Sequence, residues 1–488
     1  MQPHNLFRTL SAGLAGIFLG IVLALPATAQ PAVTDGRIAG AVEAEMWNDP
    51  LVDANTIDVS VSDAVVTLEG TVDNILARDR ALRLARTISG VRGIIDRIRV
   101  DPMDEDARRS DQAIQAGVMA ALARDPATEA YDVQADVEDG VVTLEGSADS
   151  YAEKQLAATV AKGVGGVTGM DNRINVLRKV DRPDGEIAAE VEARLMNDVR
   201  VDDKLIAVTV DDGVVTLAGH VGSLAEKRRA GLDAWVTGVN AVANDLEVKA
   251  WARDTLRREA AMAPREDAEL HEAVMATLSY DPRVNPINLD VTVDSGVATL
   301  RGVVSDARAK RAAGESTENV TGVFMVRNFI KVRPDEIPPA DELERRVIEA
   351  LAEDPVVERY GIGVDAYNGR VTLSGAVDSS FEAKRAAAIA FRTRGVVDVL
   401  SRIDYEFEWE WRPDPTIREE VVEQLFWSPY VDEDELDVQV VNGVVTLRGE
   451  VDTWSEREAA EQNAWQAGAK DVDNQITVTS QAFGPLYY

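Results

Sequence analysis

Basic residues recur at one position of a pattern that this 488-residue chain repeats six times. The position lies eight residues after a glycine that ends the pattern, and five of its six occupants are arginine or lysine. These five residues are Arg78, Lys154, Lys227, Lys310 and Arg457. Three further basic residues directly follow the same position, and they are Arg228, Arg311 and Lys384. Such cations would bind lipid phosphate, or would pair with nearby carboxylates while their apolar stems cover the core.

Tryptophans form a second set of candidates for binding a lipid or a protein partner. Trp235 and Trp465 occupy the same position, three residues before the glycine that ends a predicted helix, and Trp454 begins such a helix. An amphipathic ring suits the interface between a membrane and water. Burial between neighbouring repeats is the alternative interpretation of each ring.

Residue types suited to catalysis are scarce. Beyond the first 29 residues the only histidines are His220 and His271, and neither has a partner at the spacing of a metal site. Asp211 and Asp212 resemble paired carboxylates, but they fall in a predicted hairpin turn. The sequence shows no glycine-rich phosphate loop and no nucleophile elbow. We therefore expect a non-enzymatic protein with no catalytic residue, no metal and no cofactor.

The repeated pattern reads Val-Thr-Leu-x-Gly in most copies and follows a hairpin signal such as Asp-Gly or Asn-Gly. Its final glycines, interpreted as structural turn glycines, are Gly70, Gly146, Gly219, Gly302, Gly375 and Gly449. Neighbouring copies lie 73 to 83 residues apart, which exceeds the unit length of a typical solenoid. The spacing predicts six small domains in a row. A function spread over six similar units favours binding or scaffolding over catalysis.

One copy predicts the fold of all six. Apolar residues at helical spacing over 38–46 indicate a first helix, which ends at Asp49-Pro50 because proline disfavours helix in the residue before it. Alternating residues predict a two-stranded hairpin, followed by a second helix from 74 to about 88 and a last strand over 94–100. Ala64 replaces the turn glycine of the other copies, at a cost of up to about 1 kcal/mol if the turn keeps its type.

The fold class is therefore α+β, with six tandem α-β-β-α-β modules of two helices on a three-stranded sheet. We number these modules 1 to 6, over residues 35–101, 110–178, 184–248, 266–332, 341–405 and 415–478. Short charged or proline-rich segments separate most of them.

Composition restricts the possible partners. Residues 1–29 hold a basic start, an apolar stretch and small residues before Gln30, which predicts a cleaved signal peptide and a periplasmic protein. An uncleaved membrane anchor is the alternative. The net charge of −34 argues against nucleic acid as a partner, because neutralising phosphates needs a basic surface. The chain contains no cysteine, which excludes disulfides and thiolate metal sites.

The hairpin, the motif Val-Thr-Leu-x-Gly-x-Val, a basic helix and Gly-Val-x-x-Val-x-Asn before a final strand together resemble the BON domain (bacterial OsmY and nodulation) family. Six copies in register carry this resemblance over most of the chain. The resemblance implies the α-β-β-α-β fold, periplasmic residence, association with phospholipid membranes and a role in osmotic or envelope stress. It implies no enzymatic site.

Two functions stay open at this point. In the first, the modules bind membrane phospholipid and the protein serves the cell envelope under osmotic stress. In the second, six weak sites form a multivalent periplasmic scaffold or a chaperone-like binder of envelope proteins. Either function leaves the oligomeric state open.

Overall fold

The computed structural model describes residues 33–102, 109–128, 132–177, 182–253, 265–405, 411–431 and 435–478. Over these residues the chain forms six mixed α/β modules of one design, so the expected α+β fold of six tandem modules is confirmed. The expected signal peptide lies outside the described residues.

Each module begins with a helix that ends where the sequence predicts. These first helices are α1 Asp35–Trp47, α3 Asp111–Arg124, α5 Asp184–Asn197, α7 Asp267–Tyr280, α9 Ala340–Glu353 and α11 Asp414–Trp427. Four of the six stop at an aspartate, and in three of those four the next residue is proline, which disfavours helix in the residue before it.

The second helix of each module begins at a polar residue whose side chain accepts a hydrogen bond from the first turn. These helices are α2 Ile75–Arg86, α4 Tyr151–Ala161, α6 Leu224–Asp233, α8 Ala307–Glu318, α10 Ser380–Phe391 and α12 Trp454–Gln466. Asn74, for example, accepts from the amide of Ala77 at 2.9 Å. Such caps satisfy amides that have no partner within the helix, and therefore fix where it starts.

The two strands before the second helix form an antiparallel hairpin. The hairpins are β1–β2 (Ile57–Ser62, Val65–Val72), β4–β5 (Asp132–Glu138, Val141–Ala148), β8–β9 (Ile206–Asp211, Val214–Val221), β12–β13 (Leu289–Asp294, Val297–Val304), β16–β17 (Gly363–Tyr367, Arg370–Val377) and β19–β20 (Leu436–Val441, Val444–Val451). In module 1 the turn residues Asp63 and Ala64 have φ of 52° and 61°, so Ala64 keeps the turn type that glycine serves elsewhere.

The glycines that end the repeated pattern lie within the second hairpin strands, so the prediction that they are turn glycines is wrong. Gly70 has a φ of 153°, and a β-carbon there would overlap the carbonyl oxygen of Thr56. The corresponding glycines that meet the chain in the same way are Gly146, Gly219, Gly302 and Gly449. Glycine is required because the backbone that leads into the first strand passes directly over this position.

The third strand runs parallel to the second and is continuous only in modules 1 and 5. These strands are β3 Gly93–Val100 and β18 Asp398–Tyr405. Elsewhere it is split into β6 Gly169–Asn172 and β7 Asn175–Val176, β10 Ala241–Asn244 and β11 Glu247–Val248, β14 Met325–Asn328 and β15 Lys331–Val332, and β21 Asp471–Asn474 and β22 Thr477–Val478.

An asparagine side chain accounts for the split. The Asn172 amide donates to the carbonyl of Lys154 at 2.8 Å, and its oxygen accepts from the amide of Ile174. Asn244, Asn328 and Asn474 make the same pair of bonds in their modules. Such local bonds from a side chain to the backbone compete with the sheet and interrupt the strand.

Each module has its own apolar core between the helices and one face of its sheet. In module 1, Val66, Leu68 and Val72 are buried, whereas Thr67 and Glu69 lie on the other face. This alternation is the one that the sequence predicts for a strand with one buried face.

A main-chain contact recurs between modules 1 and 6, 2 and 5, and 3 and 4. The amide that precedes the positive-φ glycine after the second helix donates to the last residue of a first helix in another module. The pairs are Ser89 to Trp427 (3.1 Å), Gly165 to Glu353 (2.7 Å), Thr321 to Asn197 (2.9 Å) and Arg394 to Arg124 (3.2 Å). Modules 2 and 5 make the contact in both directions, so the pair is related by a local two-fold axis.

The first turn of the second helix makes another recurring contact between modules. Ile75 of module 1 lies in the core of module 2. Tyr151 of module 2 stacks on Trp235 of module 3, and Leu224 of module 3 packs against the core of module 1. Modules 1, 2 and 3 therefore form a closed cycle. In the second half of the chain, Trp454 of module 6 likewise contacts module 4.

The first residue of the first helix ties that helix to the hairpin turn in five modules. In module 3 the Asp184 carboxylate accepts from the amides of Asp212 (3.0 Å) and Gly213 (2.9 Å). The corresponding aspartates are Asp35, Asp111, Asp267 and Asp414. Module 5 differs, because its first helix begins at Ala340.

Removing this carboxylate should weaken the module that holds it. We expect Asp184→Ala to lower the free energy of unfolding by about 1 kcal/mol, because two turn amides lose a charged acceptor. Urea unfolding measures the change. Asp341→Ala, an exposed aspartate in the first helix turn of module 5, is the matched control and should leave the midpoint unchanged. Equal effects of the two variants would contradict this role.

Candidate ligand-binding surface

The basic residues of the repeated position lie on the second helices, beside the third strand. Arg78 pairs with Asp96 of β3, with Nη2 2.8 Å from the carboxylate. Arg457 donates to the carbonyl oxygens of Asn474 (2.9 Å) and Ile476 (3.2 Å). At these two positions the guanidinium fastens the second helix to the third strand.

The three lysines at the repeated position differ from the two arginines in the partners of their side chains. Lys154, Lys227 and Lys310 are half-buried, and none forms an ion pair within the part of the chain that the structure describes. Their carbonyl oxygens accept the strand-splitting asparagines, while their ammonium groups have no carboxylate partner there.

The basic residues that follow this position are more exposed. Arg228 and Lys384 are exposed to solvent, and Arg311 pairs with Glu315 on the same helix at 2.7 Å. An exposed pair of this kind contributes little to stability, so its guanidinium can exchange partners at small cost.

Two of the three candidate tryptophans lie between modules. Trp235 stacks on Tyr151 with ring centroids 4.1 Å apart and planes 6° from parallel. The Trp454 indole donates to the carbonyl of Phe324, and Arg457 lies over the same ring at 5.2 Å. Trp465 is 43% exposed and is therefore the candidate ring most open to a membrane or partner.

Three arginines lie on the two helices that pack together between modules 1 and 3, α2 and α6. Arg83 and Arg86 belong to α2, and Arg228 of α6 lies close enough to act on both electrostatically. Burial and the neighbouring charge of Arg228 lower the pKa of Arg86 below its ordinary value. Sequence reasoning missed Arg83 and Arg86, because only the contact between distant modules brings them to Arg228.

Module 1 also contains a buried carboxyl group. Glu45 of α1 is only 6% exposed, and burial raises its pKa to about 7, although the nearby Arg80 opposes this. Arg80 itself pairs with Asp49 at 2.7 Å.

Two buried carboxylates of module 3 pair with arginines. Asp198 binds Arg200 at 2.9 Å and also pairs with Arg229, which reaches Asp233 at 3.1 Å. Burial raises the pKa of Asp233 to about 6, although Arg229 counteracts part of the shift. The network joins the end of the first helix to the second helix, which is a structural role.

The structure brings no catalytic constellation together among its described residues. His220 makes an edge contact with Trp251 at 5.3 Å between ring centroids. Over the described ranges no group of three histidine or acidic side chains is placed to hold a metal ion. Asp212 lies in a hairpin turn with φ of 49°, as its sequence position predicts. Among the same residues, no helix combines the length and apolar character needed to cross a membrane.

Comparison with known proteins identifies the module. The BON domain family model matches residues 34–102, 110–178, 183–250, 266–334, 339–406 and 413–480. These six matches together include well over half of the chain.

A curated relative and two solved structures show further similarity. Osmotically-inducible protein Y of Escherichia coli (strain K12) is 36% identical over 149 residues, which are 28% of this chain and 73% of that protein. Two structures of CdsD, a structural protein of the type III secretion system of Chlamydia trachomatis, align at 15% identity with a TM-score of 0.13. They cover 45% and 44% of this chain, and 97% and 100% of theirs. Similarity at this level carries no argument about function.

Glu45 should make module 1 sensitive to pH. Its pKa is raised from 4.5 to about 7 in the folded state, so the folded state binds the proton more tightly and stability falls as pH rises from about 4.5 to about 7. We expect Glu45→Gln to stabilise the protein at pH 8 by about 1–3 kcal/mol and to be neutral near pH 4.

Thermal unfolding at the two pH values measures this effect. Glu43→Gln, which removes an exposed carboxylate from the same helix, is the control and should change neither value. A Glu45→Gln variant less stable than the wild type at pH 8 would show that the buried charge is favourable.

Proposed function

This chain belongs to the BON-domain family, and from that premise we propose that it is a non-enzymatic protein of the periplasmic cell envelope. It acts under osmotic stress and associates with phospholipid membranes. The relative whose name records osmotic induction supports the stress role. The basic and apolar start of residues 1–29 supports export.

The observation that carries the lipid association is the absence of ion-pair partners for three lysines among the described residues. Lys154, Lys227 and Lys310 have equivalent positions in modules 2, 3 and 4, and lack a carboxylate partner among the described residues. The chain as a whole is strongly acidic, with a net charge of −34, yet these ammonium groups have no such partner, and the phosphate of a headgroup is a chemically suitable acceptor.

The acidic surface determines how such binding would work. The overall charge repels an anionic membrane over roughly 8 Å at physiological ionic strength, so attraction has to come from short-range contacts. Local ammonium groups and the exposed ring of Trp465 supply contacts of that kind.

A multivalent scaffold for envelope proteins is the second candidate. Large rings exposed on several modules favour it, since Trp47 is 69% exposed and Tyr367 is 75% exposed. Trp411, just before module 6, is 73% exposed. Aromatic residues are enriched at the centres of protein interfaces.

Reversing the three lysines should abolish lipid binding. We expect a Lys154→Glu, Lys227→Glu, Lys310→Glu variant to bind anionic vesicles at least about 100-fold more weakly, because each basic residue near a membrane contributes about 1 kcal/mol. Co-sedimentation of residues 30–488 with anionic and zwitterionic vesicles, at low and high salt, measures the change.

The matched control reverses three arginines on the outer faces of the sheets. Arg97, Arg173 and Arg370 are more than 60% exposed and pair with carboxylates of their own sheets. Their reversal changes the net charge equally and should reduce binding far less. Equal loss in both variants would assign the effect to overall charge. Absence of wild-type binding under every condition would refute the lipid association and favour the scaffold.

A further inference from the structure

Equivalent positions meet at each contact around the cycle of modules 1, 2 and 3. In two of the contacts, a residue five or nine positions after the glycine that ends the repeated pattern contacts the residue sixteen positions after that glycine in the next module. Between modules 1 and 2, Asp79 meets Lys162 in an ion pair of 2.8 Å. Between modules 2 and 3, Tyr151 stacks on Trp235. Both contacts are complementary, one in charge and the other in shape.

The contact between modules 3 and 1 is built differently. Leu224 packs against the core of module 1 at the first of these positions. The other two positions hold Arg228 and Arg86, on the two helices that pack together, and Arg83 lies one turn before Arg86. Arg228 acts electrostatically on both of these arginines. Three arginines therefore lie at this contact, whereas the equivalent positions of the other two contacts hold partners that attract each other.

The carboxylates that act on Arg83 and Arg86 are already paired. Asp49 binds Arg80 at 2.7 Å, and Asp79 binds Lys162 at 2.8 Å. Asp96, which acts on Arg86, binds Arg78 at 2.8 Å. Across the described ranges, no carboxylate forms an ion pair with the three arginines. The contact thus concentrates positive charge that the protein does not neutralise.

We propose that the contact of α2 with α6 is an oxyanion site that takes a phosphate group through Arg83, Arg86 and Arg228. Guanidinium groups bind phosphate oxygens through paired hydrogen bonds. Arg83 and Arg228 are exposed and Arg86 is half-buried, so a phosphate on a larger molecule can enter from solvent. Where that phosphate belongs to a lipid headgroup, the inference rests on the proposed membrane association; soluble phosphate would use the same site without it.

Thermal unfolding with inorganic phosphate tests the site. At constant ionic strength, replacing chloride by 50 mM phosphate should raise the Tm of the six-module protein by about 2–4 °C. An Arg86→Gln, Arg228→Gln variant should lose this rise. In chloride alone it should unfold at the same or a higher temperature, because two like charges no longer repel.

The control variant is Arg97→Gln, Arg173→Gln, which removes two exposed arginines outside the contact and should keep the phosphate effect. No phosphate effect in the wild type, or an equal effect in all three proteins, would overturn the proposal. A lower Tm of the Arg86→Gln, Arg228→Gln variant in chloride would also contradict it, since the arginines would then hold the modules together.

Vesicles of phosphatidylglycerol, compared with vesicles whose anionic lipid lacks phosphate, identify the source of the phosphate. Loss of both the Tm effect and the preference for phosphatidylglycerol in Arg86→Gln, Arg228→Gln supports a headgroup in the site. Loss of the Tm effect alone supports soluble phosphate. A wild type that responds to phosphate but binds no vesicles refutes the membrane association and leaves the site in place.

Discussion

Docking of the modules onto one another is the interaction on which the rest of this structure depends. A module of about 66 residues buries a small core and is only marginally stable alone. Ile75 fills the core of module 2, and Trp427 of module 6 is buried in the core of module 1. These two cores are therefore completed by residues from elsewhere in the chain. The same docking decides which basic and aromatic side chains stay available to a ligand.

The design of one module could be read from the sequence, because its signals are local. Helix ends before aspartate, capping residues such as Asn74 and turns with positive φ each act within a few residues. The place of Gly70 could not be read, because its close neighbour, Thr56, arrives through the fold. The pairing between modules could not be predicted from the sequence either. Nothing local to Ser89 predicts that its amide binds the carbonyl of Trp427.

The charges at equivalent contacts between modules distinguish positions with a structural role from candidate ligand sites. Asp79 and Lys162 attract each other across one contact, whereas Arg86 and Arg228 repel across another. The second half of the chain places two acids together, since burial and then Glu458 raise the pKa of Glu318 to about 6. Contacts between like charges are stabilised by the packing around them. A bound ion of opposite charge has most effect at such a contact, because the like charges do not neutralise each other.

Hydrogen exchange at the amides that cross between modules tests most directly whether the modules are docked. The donors are the backbone amides of Ser89, Gly165, Thr321 and Arg394. In the docked arrangement these amides exchange slowly, on the timescale of the core strand amides of their own modules. Exchange at the rate of exposed loops, with core amides still protected, would show six independent modules and contradict the account.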